Sequence, residues 1–111
     1  GAIYATQGLY IQAIQQFNRI LDMDPRNQKA HYNLGLAHLK KKNYAQSKKY
    51  FLEALKLNAN YALAHRNIAG LYLLENNKEK ALYHLKTYVG LAHGAKDLDL
   101  IELQIKKLEN N

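Results

Sequence analysis

Hydrophobic and polar positions along the chain repeat with a period of 34 residues. The run Ala-His-Tyr-Asn-Leu-Gly at residues 30–35 returns as Ala-His-Arg-Asn-Ile-Ala at residues 64–69. Further along each unit, Phe51 and Leu85 hold matching apolar places. A constant period of this length indicates a tandem array in which neighbouring units stack and share a continuous core.

Inside each unit, apolar residues fall on two helical stripes with turn residues between them. In the central unit, residues 28–61, a first helix is predicted to run to about Lys42, and Asn43 marks the turn before the second helix. The third unit, residues 62–95, follows the same plan. Gly94 is expected to end its second helix as a C-terminal cap.

The N-terminal end of the chain departs from this plan. Residues 1–27 hold a truncated first unit, because only the last turns of a first helix precede its second helix. Gly8 and Leu9 are predicted to separate the two helices, and Pro25 to stop the second one.

The C-terminal helix, within residues 96–111, also differs from the units before it. Asp97 stands at its start, and one apolar stripe suits a cap over the end of the stack: Leu98, Ile101, Ile105 and Leu108. Leu100 and Leu103 point away from that stripe. They either contact another surface or are simply exposed.

With two helices in each 34-residue unit, the chain resembles the tetratricopeptide repeat family over about residues 1–93. The resemblance rests on aromatic, small and apolar residues at fixed places: Tyr10, Ala13, Phe17, Pro25, Tyr32, Leu34, Gly35, Tyr44, Phe51, Ala54, Leu57, Ile68, Ala69, Tyr72, Ala81 and Leu85. It implies an all-α right-handed superhelix of about three antiparallel helix pairs, closed by the last helix. Histidine takes the family's usual tryptophan place at His31 and His65, and Tyr88 replaces a small residue.

The first helix of each full unit is apolar on two faces. Leu34 and its neighbours form the core face, and the opposite side also carries apolar residues where charge would be expected. The resemblance implies that first helices line the concave face, where the family binds extended peptides. We therefore predict a peptide groove formed by Tyr32, Asn33, Leu36, Leu39, Leu63, Arg66, Asn67 and Leu73. The alternative is that these leucines only pack against neighbouring helices.

One subset of the family is known to hold a C-terminal carboxylate between paired Lys, Arg and Asn side chains. Asn33 matches one element of that clamp, but Leu63 and Asn67 stand where Lys and Arg would be needed. A full clamp is therefore not expected. Arg66 remains able to bind a single carboxylate, since a guanidinium takes such a group bidentately.

The net charge of +7, from 16 Lys and Arg against 9 Asp and Glu, favours an acidic protein or peptide as partner. It also supports a second reading, in which a basic edge binds nucleic acid or an anionic surface through Lys40, Lys41, Lys42, Lys48 and Lys49. Nucleic acid is the weaker partner, because no stacking platform or known motif accompanies these lysines. A third reading is self-association through the open N-terminal end around Ile3, Tyr4 and Phe17.

Catalysis, metal and cofactor chemistry find little support in the sequence. The carboxylates are dispersed, and His31 and His65 lack the clustered Cys, Asp or Glu of a metal site. The glycines form no phosphate loop. We expect a non-catalytic adaptor without a cofactor. The chain has no Cys and no run of about 20 apolar residues, so a soluble protein is expected, with the cytoplasm favoured.

Overall fold

The computed structural model describes residues 2–110, with side chains from residue 7 onwards in that range. Every regular element there is an α-helix: α1 (Ala2–Met23), α2 (Gln28–Lys40), α3 (Tyr44–Leu57), α4 (Ala62–Leu74), α5 (Lys78–Leu91) and α6 (Leu98–Glu109). The chain forms two compact units, Gly1–Ala59 with α1 to α3 and Asn60–Asn111 with α4 to α6. The predicted all-α class is confirmed.

The N-terminal helix is longer than the sequence suggests. A break is predicted at Gly8 and Leu9, but α1 runs without interruption from Ala2 to Met23. The prediction is wrong because Gly8 keeps ordinary helical backbone; among the glycines in the described residues, only Gly94 has a positive φ, of 79°. A glycine inside a helix costs about 1 kcal/mol relative to alanine, which neighbouring turns of a long helix offset. The side chains of Ile3 and Tyr4 lie outside the described residues.

Two helical hairpins, α2 with α3 and α4 with α5, share one turn geometry. The turn residues Lys42 and Asn76 both adopt left-handed backbone, with φ of 64° and 58°. In each turn the next amide donates to the helix carbonyl five residues earlier, at 2.8 Å. These bonds form Schellman caps, which satisfy the last helix carbonyls and reverse the chain over a short connection.

In the first unit, α2 and α3 meet at a glycine. An added Cβ on Gly35 would stand 2.6 Å from two ring carbons of Phe51, which is fully buried. Tyr32 packs beside the same ring, with centroids 5.6 Å apart. The Ser47 hydroxyl donates to the Gly35 carbonyl at 2.7 Å. The absence of a side chain at Gly35 therefore sets how closely the two helices approach.

A stack of rings closes the other side of the α2–α3 contact. Tyr50 of α3 lies 5.5 Å from His38 and nearly parallel to it, and His31 is 6.1 Å away. The His31 Nε2 lies 3.0 Å from the Pro25 carbonyl oxygen and donates to it. Burial, with help from the charge of Lys41, lowers the pKa of His38. The ring stack therefore involves a neutral imidazole.

The second unit repeats this stack 34 residues later, with His84 in the place of Tyr50. His84 stacks on Tyr72 at 5.5 Å, and its Nδ1 lies 2.9 Å from Nδ1 of His65. Both histidines are buried. Burial first, and then the neighbouring His65 and Lys80, lower the pKa of His84 to about 4. One Nδ1 must donate and the other accept, so at least one of the two Nδ1 atoms carries no proton, and the lowered pKa of His84 fits that requirement.

The core of the second unit joins α5 to the last helix. Its buried members are Ala69, Leu85, Tyr88, Ile101 and Ile105. On α6 the residues that pack against this core are the four of the predicted apolar stripe: Leu98, Ile101, Ile105 and Leu108. The α6 positions equivalent to the α5-facing residues of α4 are exposed and mostly charged: Asp99, Glu102, Leu103 and Lys106. This polarity suits a helix that covers a core with one side and exposes its other side to water.

A pair of glycine substitutions tests the α2–α3 contact. We expect Gly35→Ala to lower the free energy of unfolding by about 1–3 kcal/mol, because the new methyl group overlaps the buried Phe51 ring. Gly70→Ala in α4 is the matched control, since a Cβ there meets nothing within 4 Å. It should raise stability by up to about 1 kcal/mol through helix propensity. Urea unfolding measures both; equal effects would contradict this account.

Acid should destabilise the second unit through His84. Its folded pKa of about 4 lies below its ordinary value of 6.5, so the unfolded chain binds the proton more readily between these values. The contribution of His84 to the free energy of unfolding is fully present above pH 6.5 and is lost as the pH falls towards 4. The loss is at most about 3 kcal/mol, and it is smaller where water screens the ring. The groups facing the ring are His65, Lys80, Tyr72 and Tyr83.

The measurement is the free energy of unfolding across that pH range. His84→Tyr, which restores the first unit's residue, should flatten the dependence between pH 6.5 and 5, whereas the exposed His93→Gln should leave it unchanged. An equally steep fall in His84→Tyr would show that another group is responsible.

Candidate functional site

The four predicted groove residues on α2 separate into different environments. Tyr32 is only 8% exposed and packs against Phe51, so its predicted place on the open face is wrong. The reason is that the Tyr32 ring packs onto the Phe51 ring of α3, with 5.6 Å between the centroids. Asn33, Leu36 and Leu39 are half-buried. Of the four, Asn33 and Leu36 share one open concavity.

That concavity, the α1–α2 pocket, has a volume of about 270 Å³. It is lined by three residues of α1 and four of α2: Tyr10, Ala13, Phe17, Asn33, Leu36, Ala37 and Lys40. Its surface is mostly hydrocarbon, with the Asn33 amide and the Lys40 ammonium as polar exceptions. Within the described residues, the Asn33 side chain makes no hydrogen bond inside the chain. An apolar hollow with a few polar groups is the usual form of a binding site.

The four predicted residues of the second unit lie on α4. Leu63 and Arg66 are exposed, and Asn67 and Leu73 are half-buried. The Asn67 amide donates to the Leu63 carbonyl at 2.9 Å. Arg66 is engaged by another part of its own unit, and this changes what it can offer to a ligand.

The Arg66 guanidinium pairs with Asp97, which precedes α6. Its Nε lies 2.5 Å from Asp97 Oδ2, and the Tyr88 hydroxyl donates to Asp97 Oδ1 at 2.5 Å. The hydrogen bond from Tyr88, together with the charge of Arg66, lowers the pKa of Asp97. Burial and the bond to Asp97 raise the pKa of Tyr88. One carboxylate thus connects α4, α5 and the start of α6.

The predicted basic edge lies wholly in the first unit. Lys40, Lys41 and Lys42 surround the α2–α3 turn, and Lys48 and Lys49 follow on α3. The Lys49 ammonium lies 5.9 Å from the Tyr50 ring centroid. Of these lysines, Lys40 also lines the α1–α2 pocket. The edge and the pocket are therefore adjoining surfaces of one unit.

Sequence reasoning missed two parts of this picture. The sequence analysis gives Tyr10 and Ala13 only as repeat positions, and Phe17 also as part of an open end for self-association. The available signal for a pocket was the equivalence of Ala13 and Phe17 to the buried Ser47 and Phe51 of α3. The Asp97 contact was also missed. Its signal was Tyr88, a large residue at a place the family fills with a small one, whose hydroxyl needs a partner.

Comparison with known sequences identifies a repeat family. The model described as tetratricopeptide repeat matches residues 3–56 and again residues 43–96. A TPR repeat-containing thioredoxin, TTL4 of Arabidopsis thaliana, is 29% identical over 85 residues. This alignment covers 77% of the chain and only 12% of the plant protein, so the chain spans a small part of that relative's length.

Solved structures share the fold at low sequence identity. The type III secretion translocator chaperone SycD of Yersinia enterocolitica matches with a TM-score of 0.82 and 12% identity, covering 92% of this chain and 73% of its own. The first TPR of Spaghetti (RPAP3), bound to an HSP90 peptide, matches with a TM-score of 0.80 and 22% identity, covering 99% of this chain and 85% of its own. The TPR2B domain of yeast Sti1, in complex with pHsp70, matches with a TM-score of 0.79 and 15% identity, covering 99% of this chain and 90% of its own. These similarities confirm the predicted all-α repeat solenoid.

Replacing Asp97 tests the link between the three helices. Asp97→Asn should lower the melting temperature at pH 7, because an amide cannot pair with the Arg66 charge. The difference in melting temperature between wild type and Asp97→Asn should shrink as the pH falls through the lowered pKa of Asp97, because the native carboxylate then also loses its charge. Asp99→Asn is the control, since Asp99 also lies at the start of α6 but is exposed. Equal melting temperatures for the two variants at pH 7 would contradict the assignment.

Proposed function

Because the chain belongs to the tetratricopeptide repeat family, we propose that it is a non-catalytic scaffold that binds a segment of another polypeptide. Proteins of the same fold have been solved with peptides bound, an HSP90 peptide on the RPAP3 repeat and a YopD peptide on SycD. None of the described helices has the length and apolarity needed to cross a membrane.

The observation that carries the proposal is the α1–α2 pocket. It combines an apolar floor formed by Phe17 and Leu36 with the amide of Asn33 at its wall. Burying apolar side chains of a ligand on that floor is favourable by roughly 25 cal/mol for each Å² removed from water. The Asn33 amide offers both a donor and an acceptor, which is what the backbone of a bound polypeptide requires.

The rest of the predicted groove belongs to the proposal with altered roles. Leu39 on α2, and Leu63, Asn67 and Leu73 on α4, keep the proposed role of ligand contacts, each within its own unit. Tyr32 would support the groove without touching the ligand, because its ring packs against Phe51 and so holds α2 in place. A ligand carboxylate could bind Arg66 only in competition with Asp97, which already holds the guanidinium.

An acidic segment is the partner class proposed. The net charge is +7, and Lys40 lines the pocket next to the lysines of the basic edge. Opposite charge accelerates encounter and fixes orientation, although exposed lysines add little to affinity at physiological salt. The same basic edge supports the second candidate, binding of nucleic acid or another anionic surface. Retention of DNA or RNA by the protein that falls steeply between low and moderate salt would favour this second candidate.

A peptide-display selection tests the scaffold function. Random peptides enriched on the wild-type chain should bind Leu36→Glu at least tenfold more weakly, because a carboxylate on the pocket floor must be desolvated. Leu52→Glu is the matched control, as Leu52 is an exposed leucine of α3 that does not line the pocket. Affinities are measured by fluorescence anisotropy, and circular dichroism confirms that both variants are folded.

Two results would contradict the proposal. One is that no peptide is enriched above an unrelated helical control protein. The other is that enriched peptides bind Leu36→Glu as well as wild type while losing affinity when Lys41, Lys42 and Lys49 are changed to Gln, which would transfer the activity to the basic edge.

A further inference from the structure

An ion pair lies on the exposed face of α4, among the residues predicted to contact a ligand. Arg66 shares that face with Leu63, three residues earlier, and with Gly70, four residues later. The Arg66 side chain is 43% exposed, although its Nε lies 2.5 Å from Asp97 Oδ2. Leu63 is 48% exposed, and a Cβ on Gly70 would meet nothing within 4 Å. The guanidinium therefore belongs to a face that is open to a ligand and mostly uncharged.

The carboxylate of Asp97 is committed to this ion pair. Its Oδ1 accepts a hydrogen bond from the hydroxyl of Tyr88, a residue that is only 3% exposed. Although Asp97 stands directly before α6, its side chain makes no capping hydrogen bond to that helix. Its ψ of 5° also differs from the extended backbone of a capping residue. The buried tyrosine thus holds the negative charge beside the guanidinium of Arg66.

Pairing removes the net charge of Arg66 but leaves hydrogen-bond donors. A guanidinium carries five N–H donors, and the lone pairs of one carboxylate oxygen accept at most two of them. A neutral acceptor, such as a main-chain carbonyl or a side-chain amide of a ligand, meets the remaining donors without repulsion. A ligand carboxylate that approaches the same donors also approaches Asp97, and two negative charges at short range repel each other.

We propose that Asp97 is a specificity-determining residue of the second unit: by neutralising Arg66, it makes the exposed face of α4 accept a polypeptide segment that is uncharged at this point and reject an acidic side chain there. The inference rests on the scaffold function proposed above and adds which ligand chemistry α4 selects. The preference for acidic residues remains a property of the first unit.

The same face provides a place for the backbone of such a segment. Open space at Gly70 allows a main chain to approach α4 closely, one helical turn from the donors of Arg66. Leu63 and the half-buried Leu73 lie on the same face and offer apolar surface to the neighbouring side chains of the ligand. Attraction then comes from the carbonyl and the apolar contacts, and Asp97 supplies the repulsive element that discrimination also requires.

Two glycine variants of the full chain show whether a peptide binds on α4. Gly70→Met fills the open space on that face, and Gly90→Met makes the same change at an exposed glycine of α5, where a Cβ also meets nothing within 4 Å. Random peptides are enriched on wild type, and their affinities are measured by fluorescence anisotropy. At least one enriched peptide should bind Gly70→Met at least tenfold more weakly than Gly90→Met.

That peptide is then synthesised in versions that carry Gln or Glu at each position in turn. The two side chains have nearly the same shape, so a difference in affinity reports charge. Measurement at about 150 mM salt screens the general attraction of a chain with a net charge of +7. We expect one position at which wild type binds the Gln version at least threefold more tightly than the Glu version.

Asp97→Asn tests which residue sets this preference. An amide keeps an acceptor for Tyr88 but leaves the Arg66 charge unpaired, so the Glu version should gain at least fivefold and become the tighter ligand. Asp99→Asn is the matched control, because it changes the net charge equally from an exposed position at the start of the same helix. It should keep the wild-type preference. Circular dichroism confirms that each variant is folded.

Arg66→Gln gives a second test that does not depend on the folding of Asp97→Asn. It leaves the Asp97 carboxylate without its cation, so the Glu version should lose at least a further threefold relative to the Gln version. An unchanged ratio of the two affinities in Arg66→Gln would overturn the proposal.

The remaining contrary results separate this inference from the scaffold function. If peptides bind but none distinguishes Gly70→Met from Gly90→Met, the site on α4 is overturned and the scaffold function stands. The role of Asp97 is overturned if wild type binds the Glu version at least as tightly as the Gln version at every position. An equal shift in Asp97→Asn and Asp99→Asn would also overturn it. If no peptide is enriched on wild type, both proposals are overturned.

Discussion

The close approach of a small residue on one helix to a large apolar residue on the next is the contact on which this structure depends. At Gly35 and Phe51 the two surfaces meet with no space for a methyl group, and Ser47 fixes the same spot by a hydrogen bond to the glycine carbonyl. Once this distance is set, the rings of His31, His38 and Tyr50 come together beside it. The second unit uses Ala69 in the same place and assembles an equivalent stack. The repeat is therefore a repeat of contacts as well as of sequence.

The sequence predicted the type of the helices and most of their boundaries, because those depend on local patterns and turn residues. It predicted one helix too many at the N-terminal end, where α1 is continuous. Asn43 and Asn76 lie where turns occur, and Asp97 precedes the last helix as expected. Gly94 has positive φ in the turn after α5, but the cap of that helix is Ala92 and not Gly94 as predicted. The break at Gly8 failed because a lone glycine weakens a helix without ending it. The prediction for Tyr32 was wrong because a helical wheel gives only the direction of the Cα–Cβ bond, whereas a long ring can reach sideways onto Phe51 of the next helix. The His65–His84 and Arg66–Asp97 contacts join residues far apart in sequence, which no local pattern reports.

The two end helices differ in the side that no helix of their own unit covers. On α6 the positions that would face a following helix carry Asp99, Glu102, Leu103 and Lys106, which are all exposed and three of which are charged. On α1 the positions that would face a preceding helix carry Ala13 and Phe17, which are apolar and form a pocket. Water solvates the first surface well and the second poorly. Of these two surfaces, the one on α1 therefore gains more free energy when it is covered.

Charge then determines which incoming polypeptide is favoured. In the second unit the cation nearest the predicted groove, Arg66, is already neutralised by Asp97, and that carboxylate is held in turn by Tyr88. In the first unit the lysines around the α2–α3 turn have no comparable acidic neighbour among the ion pairs of the described residues, and Lys40 reaches the pocket wall. The acidic ligand that we propose would therefore meet these lysines in the same unit as the α1–α2 pocket. Phe17 and Lys40 thus line one pocket, so an apolar surface and a positive charge are available at the same place, a combination that favours selectivity at a small site.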